Sequence, residues 1–289
     1  MSKTAKDYFI AMTEFHFMNP QTMSEIAYYP DVQRWWGSVD GVMRAWSGRD
    51  LTGEWPHPIA SELIKYMDKT DVDVAFCLRE PMMDVTGGVV SLSTNGFMMQ
   101  QIAPYPERML LEANVGPVIR RGIKHANWEL EYLVKEKGAK LCKLYTPEDD
   151  GPLNDKRLWP FYEKATELGI PLTVHTGFSY VVPQPSSHCQ VGQLDDVLLA
   201  FPNLKIIAYH AGWPQSEELI GLCGKHRNLY MSLSGILGWY QRAPYRGYHA
   251  IGTALLDELD DEGVDVSMVE RDGSTGTIVA LVDHLGERS

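Results

Sequence analysis

Residues 158–177, LWPFYEKATELGIPLTVHTG, carry one complete passage from helix to strand. A helical pattern over 158–168 is stopped by Gly169-Ile170-Pro171, because proline cannot continue a helix and biases its predecessor toward extended backbone. A short β-rich run, Leu172-Thr173-Val174, follows and closes on His175, with Gly177 two residues on. The same order recurs immediately downstream. A helical stretch at 194–200 is broken by Phe201-Pro202-Asn203, and the run Lys205-Ile206-Ile207-Ala208-Tyr209 closes on His210 with Gly212 after it.

Working outward, strands are expected at 8–16, 72–78, 109–114, 139–145, 172–175, 205–210, 229–233 and 264–269. Helices are expected at 59–69, 124–137, 158–168, 194–200, 214–225 and 249–261. Short apolar runs alternating with helical patterns indicate βαβ units and a mainly parallel sheet. Eight such strands in a chain of 289 residues predict closure into a single (β/α)8 TIM barrel, a fold that occupies this size range as one unit. No low-complexity tract or linker divides residues 1–289. The segment 17–58, rich in Trp, Pro and Gly, is too long for an ordinary connection after strand one and reads as a lid-like insertion over the site or an oligomer contact.

Composition narrows the partners. Apolar residues make up 44% and charged residues 22%, and the formal net charge is -12 with a pI near 5.2. Nucleic-acid binding needs a concentrated Lys/Arg surface, so a small-molecule carboxylate or carbonyl substrate is the better expectation. No stretch approaches the roughly 18 apolar residues of a membrane span, and the start MSKTAKDYFIAM lacks the features of a signal peptide, so a cytoplasmic location is expected. Cys77, Cys142, Cys189 and Cys223 form no CxxC pair. Neither a zinc-finger spacing nor a small disulfide scaffold is present.

Barrels place their chemistry at the C-terminal ends of strands, and that is where the histidines fall. Glu14-Phe15-His16 closes strand one, and the two-residue period of a strand points Glu14 and His16 to one side. His175 and His210 end strands five and six. Imidazole and carboxylate are the ligands that zinc, manganese or iron prefer, so one divalent ion, zinc or manganese, is the expected cofactor.

The stretches Glu14-Phe15-His16-Phe17, Thr173-Val174-His175-Thr176-Gly177 and Tyr209-His210-Ala211-Gly212-Trp213-Pro214 resemble the amidohydrolase-related proteins of the metal-dependent amidohydrolase superfamily. The resemblance runs from about residue 10 to residue 240. It is most similar to the branch that holds gamma-resorcylate, dihydroxybenzoate and aminocarboxymuconate-semialdehyde decarboxylases, whose first motif is ExH or HxH and whose strand eight supplies an aspartate. It implies that Glu14, His16 and His175 bind the metal, and that His210 binds it or polarises the substrate beside it. Asp272 is the counterpart of the strand-eight aspartate, as ligand and acid-base group. Here Asp265 to Asp272 keeps only the spacing and the final carboxylate of that motif, and Glu270 to Ser274 reads equally as a polar surface turn, so strand eight and the C-terminus are atypical. The resemblance further implies a homodimer or homotetramer.

Lys143 lies in strand four, where other amidohydrolases carry a carboxylated lysine bridging two metals. With an ExH start it is expected to offer the substrate a charge or hydrogen bond, unless it only snorkels. Arg242 and Arg246, after strand seven, suit a substrate carboxylate because a guanidinium makes two parallel hydrogen bonds. Three functions follow. The first is non-oxidative decarboxylation of an aromatic or unsaturated carboxylic acid, selected by the resemblance. The others are metal-dependent hydrolysis of an ester, lactone or amide, and ligand binding without turnover.

Overall fold

The computed structural model describes residues 9–17, 59–79, 93–179 and 184–235. Elements run in the order β1 (Ala11–His16), α1 (Ala60–Lys69), β2 (Val74–Leu78), α2 (Asn95–Ile102), β3 (Met109–Asn114), α3 (Val118–Arg121) and α4 (Ile123–Lys135). They continue with β4 (Leu141–Leu144), α5 (Trp159–Leu168), β5 (Leu172–His175), α6 (Gln193–Ala200), β6 (Ile206–Tyr209), α7 (Ser216–Lys225) and β7 (Leu229–Met231). The seven strands pair in sequence order, and every pairing is parallel. The expected eighth strand, all of the 17–58 insertion except Phe17, the helix at 249–261, Arg242, Arg246 and Asp272 lie outside the described residues.

The sheet is curled. With strands about 4.8 Å apart, a flat sheet would put β1 roughly 14 Å from β4 and roughly 29 Å from β7. Instead the Glu14 carboxylate on β1 takes the Lys143 ammonium of β4, and Thr13 Oγ1 lies 3.2 Å from Oγ of Ser232, just past β7. Only a sheet rolled toward closure brings those groups together. The architecture is α/β and of the TIM-barrel type. No helix among the described residues is long and apolar enough to cross a membrane.

The two-residue period of each strand separates two apolar sets. Cys142 and Leu144, Leu172 and Val174, and Ile206 and Ala208 belong to the main core shared with the helices. Leu141, Ile207 and Tyr209 form a second cluster, with Phe76 against it, on the opposite face. That inner face also carries Glu112, Lys143, Thr173 and His175, all buried. Helices close the outside with one face each: α4 buries Ala126, Leu130 and Leu133, an i, i+4, i+7 stripe. Helix α2 lies between the expected strands 72–78 and 109–114, where no helix was expected, and it opens on Asn95-Gly96, a pair that favours turns. Its start is set by Thr94, whose hydroxyl accepts from the Phe97 N–H at 3.1 Å, an N-cap contact.

Candidate metal centre

Alternation alone would turn two of the site residues away from the barrel interior. On β1 the outer set is Ile10, Met12, Phe15 and Phe17, a spacing of two, three and two residues. The register slips between Met12 and Phe15, so one extra residue forms a bulge there. Glu14 occupies it with φ 59°, and its side chain turns inward beside Thr13. Alternation around Phe15 and Phe17 leaves His16 on the inner side as well. At the end of β6, Tyr209 already faces inward, so the next residue should face out. His210 (φ 61°) and Ala211 (φ 49°) instead adopt left-handed backbone, which brings the imidazole back over the strand ends. Non-glycine residues in that region cost about 1–3 kcal/mol each and concentrate where function demands them.

Glu14, His175 and His210 each present a ligand atom, and these atoms lie within 4.8 Å of one another. The hydrogen bonds settle which nitrogens face the centre. His175 Nε2 lies 3.0 Å from the Phe178 carbonyl, and His210 Nδ1 lies 2.8 Å from the Ser234 carbonyl. A carbonyl can only accept, so those two nitrogens carry the protons, and in the neutral rings the other pair are bare acceptors. That pair, His175 Nδ1 and His210 Nε2, stand 2.9 Å apart, with Glu14 Oε1 3.5 Å from His210 Nε2. Three electron-rich atoms converging at these distances repel one another unless a proton or a metal cation lies among them. Imidazoles fixed through their outer N–H are the usual form of metal-ligating histidine. The donor set therefore fits a divalent ion.

Electrostatics agree with that fit. Burial, helped by the neighbouring His210 and Lys143, holds His175 well below its ordinary value. Burial also lowers His16 to about 4, so both rings are neutral donors at neutral pH. Burial alone would raise the Glu14 carboxyl, but interaction with the adjacent His210 and Lys143 outweighs it and keeps the group well below the usual range. His16 is close enough for its proton affinity to respond to Glu14, Lys143 and His210, yet it is not part of the group of three. Sequence reasoning therefore named all three clustered residues, and the structure groups His210 with Glu14 and His175.

Two residues, Glu112 and Tyr145, went unnoticed in the sequence. Glu112 on β3 is fully buried and accepts from the Tyr209 hydroxyl at 3.0 and 2.9 Å and from Thr173 Oγ1. A glutamate inside the apolar run Met109-Leu110-Leu111 was the available signal. Tyr145, after β4, packs its ring 4.7 Å from that of His175 while its hydroxyl bonds Gln184 Oε1 at 2.5 Å. Lys143 points inward as expected, but its ammonium is engaged by Glu14.

With this geometry in view, comparison with known proteins is informative. The amidohydrolase family model matches residues 94–260, more than half of the chain. The chain belongs to the amidohydrolase family. No curated protein gives a significant match. Among solved structures, an uncharacterised TIM-barrel protein from Bordetella bronchiseptica is 18% identical, with 84% of this chain and 80% of that chain covered and a TM-score of 0.56. A probable 2-pyrone-4,6-dicarboxylic acid hydrolase from Acinetobacter baumannii is 15% identical over 91% and 89% of the two chains, with a TM-score of 0.55. A 5-carboxyvanillate decarboxylase from Novosphingobium aromaticivorans, complexed with manganese and 4-hydroxy-3-methoxy-5-nitrobenzoic acid, is 16% identical over 93% and 94%, with a TM-score of 0.56. These likenesses establish a shared barrel. In this amidohydrolase Glu14, His175 and His210 lie at the C-terminal ends of β1, β5 and β6, the end at which barrels hold their active sites.

Proposed function

We propose that this amidohydrolase is a metal-dependent decarboxylase of an aromatic or unsaturated carboxylic acid, with one zinc or manganese ion held by Glu14, His175 and His210 and with His16 beside them. The observation that carries the reading is the convergence of His175 Nδ1, His210 Nε2 and Glu14 Oε1, each imidazole locked by a carbonyl behind it. A divalent ion bound there supplies Lewis-acid polarisation of a carboxylate or hydroxyl oxygen on the substrate.

The chain's own residues do the rest. Glu14 and the two imidazoles would hold the ion, which would receive the charged end of the substrate. Tyr145, against His175, and Phe178, 42% exposed and edge-on to Trp213 at 6.2 Å, offer apolar faces to a flat ring. Arg242 and Arg246 are proposed to pair with a substrate carboxylate. The reaction replaces carbon dioxide by a proton at the same carbon, and Asp272 is proposed to move that proton. The ExH resemblance and the carboxyvanillate decarboxylase likeness support this choice of chemistry.

The test has two parts. Plasma mass spectrometry on untagged protein should find about one equivalent of zinc or manganese, depleted in His175→Ala. A panel of hydroxybenzoic and unsaturated acids should then release carbon dioxide. Ester or lactone cleavage without carbon dioxide release would replace decarboxylation by hydrolysis at the same centre, and absence of any metal would end the catalytic reading.

A further inference from the structure

We infer that Lys143 is a resident counter-cation that contends with the divalent ion for Glu14 and thereby weakens and tunes metal binding; this rests on the metal centre proposed above. Its ammonium is bound to Glu14 Oε1, the same oxygen that lies 3.5 Å from His210 Nε2. The side chains of Lys143 and Glu14 are only 4% and 13% exposed, so little water screens the pair. An ion ligated by that carboxylate sits within a few ångströms of a positive charge, and the repulsion between them is strong in such a setting. The same oxygen cannot be shared at full strength by both cations.

The barrel interior also gives Lys143 somewhere else to go. Its ammonium lies 4.0 Å from the centroid of the Tyr209 ring, a cation–π contact, and the hydroxyl of that ring is bonded to both oxygens of Glu112. Lys143 therefore has two interior acidic groups within its influence, Glu14 in direct contact and Glu112 bonded to the Tyr209 hydroxyl. Yielding Glu14 to an ion leaves the ammonium with an aromatic face and a second acidic group rather than with nothing. A lysine placed only to shape Glu14 would need no such alternative.

The experiment measures apparent affinity of the full chain for Mn2+ and Zn2+ by competition with a chromophoric chelator, for wild type, Lys143→Gln and Lys143→Arg. Lys143→Gln keeps a hydrogen-bond donor near Glu14 but not the charge, and should bind Mn2+ about tenfold or more tightly. Lys143→Arg keeps the charge and should stay within about threefold of wild type. Lys143→Met carries the same expectation as glutamine should the latter leave the chain unfolded by circular dichroism. Unchanged or weaker binding in the neutral variants, with wild type still binding, overturns the competition and leaves the metal centre standing. Failure of wild type and variants alike to bind either ion overturns the centre and this inference with it.

Discussion

Gly177 lies so close to Trp213 that a β-carbon built on it would fall 1.9 Å from the Trp213 carbonyl oxygen, and 2.6 Å from the Gly212 carbonyl carbon. Gly177 also has φ 92°, backbone that L side chains rarely adopt. The loops that follow the two histidine-bearing strands thus interlock backbone to backbone, which holds the ends of β5 and β6 together.

Gly177→Ala should therefore force those loops apart. We expect a loss of about 2–4 kcal/mol, combining overpacking with the left-handed penalty, together with weaker metal binding. Urea denaturation measures the first, and a midpoint equal to wild type would show that the loops have room to spare.

Protonation of His16 should cost stability in acid. Its folded value of about 4 lies below the ordinary 6.5, so between those values the unfolded chain takes up a proton that the folded chain refuses. The stability from the neutral ring is complete above about pH 6.5 and is lost as pH falls toward 4. In excess chelator, the thermal midpoint of His16→Asn relative to wild type should rise steadily from pH 7 to pH 4.5. A constant difference across that range would contradict the assignment.

Glu112 should act in the opposite sense. Burial pushes its carboxyl from 4.5 up to about 7. A raised folded value means that its contribution is complete below about 4.5 and disappears as pH climbs through 7. Glu112→Gln, which cannot ionise, should gain on wild type in thermal midpoint between pH 5 and pH 8. If the two melting curves shift in parallel instead, the carboxyl is not titrating in that interval.

Thr94 caps α2 through the Phe97 N–H. Thr94→Ala should cost about 1 kcal/mol, whereas Thr94→Ser should recover most of it, as read by chemical denaturation. Equal losses in both would point to packing of the threonine methyl rather than the cap.

Local sequence signals were sufficient for the seven described strands, since apolar runs such as those that follow Gly169-Ile170-Pro171 and Phe201-Pro202-Asn203 mark them without reference to anything distant. They were also sufficient to place histidines at strand ends. Helix α2 escaped because Asn95-Gly96 favours a turn, and the cap that overrides it is one hydrogen bond from one hydroxyl. Glu112 escaped because nothing in Met109-Leu110-Leu111-Glu112 says that Tyr209, 97 residues away, will donate to it.

By itself the sequence determined an alternating α/β chain, the seven strands found among the described residues, and the residue types able to hold a metal. Tertiary structure alone decided which of them meet. The bulge at Glu14 and the left-handed turn at His210 reverse the side to which strict alternation would send those side chains. Neither residue is a glycine that would announce such backbone. Curling of the sheet then brings Glu14 onto Lys143 across 129 residues and His210 onto His175 across 35. Those contacts arise from long-range closure of the sheet, whose hydrogen bonds and burial outweigh local preference, so no window of sequence short enough to read by periodicity contains them.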